Sequence, residues 1–246
     1  MNRTIIAAAV AGTMLAGCAG LDEASIHQIA GAVGQAYGQQ AVLAETDIVS
    51  GLREALGQGV ESAVTSLGRR NGFWDNASVR IPLPAELQQA EKTARKLGMG
   101  DKFDQLHLTL NRAAEQAVPH VADIFGAAVR QMTLEDARSI LYGPNDAATQ
   151  FFRRTSESEL IGRIRPIVTD ATTQVGVTQQ YKALVSSYGP LLKLAGIEAT
   201  DLDGYVTTKA VDGLFYSIAA EEARIRRDPR ARTTELMRTV FGAQDR

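Results

Sequence analysis

Cysteine occurs once in this chain of 246 residues and histidine only three times. A single cysteine excludes an internal disulfide, and so few soft or imidazole ligands leave little from which to build a zinc or iron site. His27, His107 and His120 are never four residues apart, so no two imidazoles converge on one ion from a shared helix face. Surplus positive charge is missing too. With 26 Lys and Arg against 28 Asp and Glu, the formal net charge is -2, and nucleic acid is not an expected partner. The Gly-x-Ser-x-Gly elbow of serine hydrolases, the phosphate loop and the dinucleotide fingerprint are all absent. Asp201-Leu202-Asp203-Gly204 has the opening of a calcium loop, but Val206 stands where such a loop needs glycine and Asp212 where it needs glutamate. Asp201 is better read as a helix cap, and no metal or cofactor is expected.

What is present describes a globular protein: 45% hydrophobic and 22% charged residues, without a low-complexity block. The first residues stand apart from this. Met1-Asn2-Arg3 is followed by an uncharged stretch from Thr4 to Gly17, the pattern of a secretory signal with a basic start, an apolar centre and small residues before the cut. Its end, Leu15-Ala16-Gly17-Cys18, resembles a bacterial lipobox, in which the cysteine sulfur receives a diacylglyceryl group and the new amine is acylated after cleavage. Cys18 is the expected lipidation site. Several acyl chains anchor a protein stably, because each buried methylene contributes about 0.8 kcal/mol. The resemblance to such lipoproteins implies that Ala19, rather than Asp, after the cysteine directs the chain to the periplasmic face of the outer membrane. The expected organisation is a cleaved signal over 1–17, a lipidated N-terminus and tether over 18–45, and a helical domain over 46–246.

Helical periodicity begins after Thr46, read as an N-cap. Ile48, Leu52, Ala55, Leu56, Val60, Ala63, Val64 and Leu67 recur at three and four residues before Gly68. A break at 71–84 holds Phe73-Trp74 and Val79-Arg80-Ile81-Pro82-Leu83-Pro84, where two prolines enforce extended backbone and suggest an apolar strap across helices. Further helices are expected over 85–97, 101–118, 119–131, from Thr133 with Asp136 as a capping-box acid, over 146–154 with Asn145 as cap, from Ser156 through Pro166, and over 178–187, 201–227 and 233–241. No alternating pattern of useful length occurs. The fold class is therefore all-α: a single multi-helix bundle with one extended, proline-containing strap.

Two polar clusters are candidates for chemistry. The first comprises Asp136, Arg138, Asp146, Thr149, Arg153 and Arg154; in a helix starting near Asp146, that residue, Thr149 and Arg153 lie on one face and could fork a carboxylate or phosphate. The competing explanation is helix-dipole compensation, with an acid near one end and arginines near the other. The second comprises Lys209, Asp212, Glu221 and Glu222 on a helix whose core stripe is Leu202, Val206, Ala210, Leu214 and Ile218. Adjacent glutamates buried together could act as general acid and base. The plainer reading of Glu222 and Arg226 is an exposed i,i+4 ion pair worth a few tenths of a kcal/mol.

Seven stretches together resemble a bacterial lipoprotein family known as domain of unknown function 4197. They are Val79 to Pro84, Leu110 to Glu115, Met132 to Gly143, Asp146 to Thr155, Tyr205 to Phe215, Glu221 to Pro229 and Arg232 to Gly242. The resemblance implies an exported helical protein and supplies no reaction or catalytic residue. The leading functional expectation is a non-enzymatic, lipid-anchored binding or scaffold module of the cell envelope, attached to the membrane through Cys18, with an envelope protein, lipid or peptidoglycan as partner. A second is a carrier or sensor of a small amphiphile, its pocket roofed by Phe73, Trp74 and the strap. A third is an envelope hydrolase, which requires Asp146, Arg153, Glu221 or Glu222 to meet in one cleft.

Overall fold

In the computed structural model, the residues described are 44–98, 100–174, 176, 179–184, 186–187 and 201–243. The signal, Cys18, His27 and nearly all of the tether lie outside them, as do parts of the expected 178–187 helix.

Eight α-helices carry the fold among the described residues: α1 (Glu45–Gly68), α2 (Ala85–Lys96), α3 (Asp101–Ala117), α4 (Ala122–Gln131), α5 (Leu134–Leu141), α6 (Ala147–Gln174), α7 (Leu202–Arg227) and α8 (Glu235–Gly242). None of these residues forms a strand. The class is all-α, as the periodicity implies. The three long helices α1, α6 and α7 make the frame: α7 packs on both α1 and α6, α3 closes against α6, and α8 lies along α1. Residues from Ala44 onward gather into one compact unit.

Each long helix buries the stripe its spacing dictates. In α1 that is Ile48, Leu52, Ala55, Leu56, Val60, Ala63, Val64 and Leu67, and in α7 it is Leu202, Val206, Ala210, Leu214 and Ile218. At the centre, Phe125 meets Phe152 edge-on at 5.2 Å and Phe215 at 6.0 Å. Such pairs contribute about 0.5–1.5 kcal/mol each beyond the area they bury.

Several boundaries differ from the sequence reading. Helix α1 starts one residue before Thr46, after Ala44, with Glu45 and Asp47 in its first turn complementing the dipole. Val118–Val121 is a 3-10 turn before α4 rather than the start of an α-helix at Pro119. The two helices expected over 146–154 and from Ser156 are one. Ser156 is buried inside α6, Thr155 bonds back to the Phe151 carbonyl at 2.8 Å, and the helix continues through Pro166. The helix expected from Thr233 is capped instead by Thr234, which accepts from the Met237 amide. Thr133 and Asp136 do form the reciprocal capping box.

Candidate functional site

The polar residues of the sequence divide into those that hold backbone inside the fold and those left at a surface groove. The holding residues come first, because they fix the groove's walls.

Along α3, His107, Asn111 and Glu115 are four apart and form one stripe facing the 71–84 segment. Asn111 is fully buried; its Oδ1 accepts from the Ile81 amide at 2.9 Å, while its Nδ2 donates to the Ile81 and His107 carbonyls, each at 2.9 Å. A side-chain amide thus supplies the pairing that a neighbouring strand would give. Glu115, 3% exposed, accepts the Phe73 and Trp74 amides at 3.1 Å and is paired with Arg112 at 2.5 Å. Arg112 also donates to Asn71, which sits in the left-handed region at φ 68°. Tyr205 of α7 donates its hydroxyl to the Pro82 carbonyl at 3.0 Å. The expected strap exists, held by side chains of two helices.

Around Phe73 the space between the strap and α7 is filled. Phe73 is fully buried, and a Cβ added at Gly213 would come within 2.8 Å of its ring. Trp74 packs edge-on against His107 at 4.9 Å and lies under the Arg80 guanidinium at 5.1 Å. Phe73 and Trp74 therefore do not roof a lipid pocket; they are the packing.

His107 is the exception to this satisfaction. Its Nε2 is buried with no hydrogen-bond partner among the described residues. Burial lowers its pKa below the ordinary 6.5 and outweighs the Ile81 backbone and Glu91, which act upward; of the smaller influences Arg80 lowers it and Asp104 raises it. Because the folded chain disfavours the proton, the unfolded chain binds more of it. This contribution to stability is complete above about pH 6.5 and is lost as pH falls below that value. Thermal melts at about pH 7.5 and about pH 5 should show a smaller decrease for His107→Phe than for the wild type. An equal decrease would remove His107 as its source.

The second set of holding residues joins α5, α6 and α7. Glu222 is buried, and its two oxygens accept from the Ala148 amide at 2.9 Å, the Thr149 amide at 3.0 Å and the Thr149 hydroxyl at 3.0 Å. It caps the first turn of α6, the role expected of Asn145. Arg226 bridges Glu222 at 2.9 Å and donates to the last carbonyls of α5, Ile140 at 2.6 Å and Leu141 at 3.3 Å. Arg232, 2% exposed, does the same for α7 through the Ile225 and Arg226 carbonyls. The exposed surface pair expected of Glu222 and Arg226 is thus a buried double cap. Beside it, Leu52, Leu56, Ile218 and Phe241 line a cavity with room for about 20 Å³, enough for a water and not for an acyl chain.

The remaining candidates are scattered over separate partners. Asp136 is occupied by its capping box, Arg138 pairs with Glu45, exposed Asp146 accepts from Gln150 at 3.0 Å, and Glu221 pairs with Arg224 at 2.6 Å. Arg154 is exposed. Asp146, Thr149 and Arg153 do not converge on one ligand position: Thr149 is taken by Glu222 and Arg153 turns to α7. Asp146, Arg153, Glu221 and Glu222 likewise have no common partner. Among the described residues no group of three or more His, Cys, Asp or Glu side chains could hold a metal, and no helix is long and apolar enough to cross a membrane.

Besides Thr149 on Glu222, Arg153 of the first cluster also meets the second. Arg153 lies over the Phe215 ring at 4.4 Å and reaches Glu157 at 2.9 Å and Asp212 at 3.9 Å, while Lys209 stands 3.9 Å from the other Asp212 oxygen. Lys209, Asp212 and Tyr216 form one wall of a groove of about 260 Å³, and Ser78, Arg80 and Pro82 of the strap form the other. Tyr216 is 54% exposed, one of the few large apolar side chains at the surface. Sequence reasoning missed Arg80 and Tyr216 as site residues, because only the strap's fold brings residue 80 beside α7. The signal for the α3 stripe was available: polar residues at 107, 111 and 115 keep one face next to the apolar stripe of Phe103, Leu106 and Leu110.

An all-α bundle with a side-chain-held strap and a mixed-charge groove defines the class of protein. The chain belongs to the family described as Protein of unknown function (DUF4197), whose model matches residues 42–242. No curated protein and no solved structure matches the chain. The stretches that carry the resemblance meet in pairs: Val79–Pro84 with Leu110–Glu115 through Asn111, and Asp146–Thr155 with Glu221–Pro229 through Glu222.

Proposed function

We propose that the protein is a lipid-anchored, non-catalytic binding or scaffold module of the bacterial cell envelope, held on the periplasmic face of the outer membrane through Cys18. The observation that carries the non-catalytic part is the use of its buried carboxylates. Glu115 and Glu222 have their oxygens occupied by backbone amides and an arginine each, so neither is positioned to exchange a proton with a substrate. The anchor rests on Leu15-Ala16-Gly17-Cys18, and the groove beside the strap is the surface that would face a partner. Metabolic labelling with an alkynyl palmitate tests the anchor. Label should enter the wild-type chain and be lost in Cys18→Ala, with the protein moving from the membrane to the soluble fraction; equal labelling of both overturns the reading.

A further inference from the structure

We infer that the groove between the strap and α7 binds a zwitterionic group of the amino-acid type, its carboxylate toward Arg80 and Lys209 and its ammonium toward Asp212. This rests on the binding-module reading and names its ligand chemistry. Charged side chains without a close partner line both walls of the groove. Arg80 donates through Nε to the Trp74 carbonyl and is stacked on the Trp74 ring, which fixes the guanidinium plane. Among the described residues its two terminal nitrogens have neither a carboxylate nor a carbonyl partner. A planar fork held in this way suits a carboxylate. On the opposite wall, Asp212 has cations on two sides, Arg153 and Lys209, yet each is 3.9 Å away, beyond hydrogen-bonding distance. Its oxygens accept no hydrogen bond from a described donor, and among the described residues Lys209 has no nearer carboxylate partner.

Charge and size restrict the ligand further. A doubly charged phosphate would gain Arg80 and Lys209 but face the Asp212 carboxylate, whereas a ligand carrying one charge of each sign meets a complement on both walls. The volume of about 260 Å³ falls just below the usual range for small-molecule sites, which fits a free amino acid and not a lipid tail. Tyr216 and Pro82 give the small side chain of such a ligand an apolar surface.

Calorimetric titration of the full chain in detergent with D-alanine and L-alanine tests this, the first standing for the amino acids of cell walls and the second for those of proteins. At least one of the two should bind. Its N-acetyl derivative, its carboxamide and inorganic phosphate should each bind at least tenfold more weakly, and Asp212→Asn and Lys209→Gln should each weaken amino-acid binding at least fivefold with unchanged melting temperature. Equal binding of the blocked derivatives, or unaltered binding by both variants, overturns the assignment. A photo-crosslinking residue at position 216 in intact cells separates the two levels. Adducts with a flat amino-acid titration overturn the zwitterion and leave the binding module standing; absence of both overturns the two together.

Discussion

Replacing Glu222 with Ala should destabilise the fold by about 3–5 kcal/mol, the range found when one partner of a buried ion pair is removed. Three effects coincide at this site. The Ala148 and Thr149 amides lose their acceptor in a place water does not readily reach, the Thr149 hydroxyl loses its partner, and Arg226 is left beside a void. For a chain of this length each kcal/mol shifts the melting temperature by roughly 2–4 °C, so a fall on the order of 10 °C is expected in a calorimetric scan. Glu222→Gln keeps one acceptor oxygen and the side-chain volume, and should fall between the two. A loss of less than about 1 kcal/mol for the alanine variant would mean that water replaces the carboxylate and that the double cap is not what joins α5, α6 and α7.

Asn111→Leu should cost about 2–5 kcal/mol, although it keeps the branched shape and adds apolar surface. The Ile81 amide and carbonyl would both be buried without partners, and each such group costs about 1–3 kcal/mol. Asn111→Asp is the sharper variant. It retains an acceptor for the Ile81 amide but points a carboxylate oxygen at the Ile81 and His107 carbonyls, so it should be at least as damaging as leucine. Denaturant unfolding measures the loss, and amide exchange locates it: the Ile81 amide should exchange much faster in both variants. If Ile81 stays protected in Asn111→Leu, the strap is held by Glu115 and Tyr205 instead.

The course of the helices was legible because burial repeats with the helical period. The stripes from Ile48 to Leu67 and from Leu202 to Ile218 name their buried residues almost one by one. Boundaries were less so. Ser156 after Arg154 and Thr155 has the composition of a cap, yet a serine is also tolerated inside a helix when it is packed, and nothing local distinguishes the two cases. Least legible was the environment of a charged pair. Glu222 and Arg226 have the spacing of any surface ion pair, and their burial depends on Ala148 and Ile140, 74 and 86 positions away. The groove has the same origin: Lys209 and Asp212 were visible on their helix, but their counterpart Arg80 arrives only through the strap.

The borrowed cap of α6 also changes which parts of the molecule open first. In an isolated helix the first-turn amides have no acceptor and fray ahead of everything else. Here the amides of Ala148 and Thr149 are closed by a side chain from α7, so they can open only when α6 and α7 separate. A helix end that would ordinarily report local fluctuation becomes a reporter of whether the whole frame is intact.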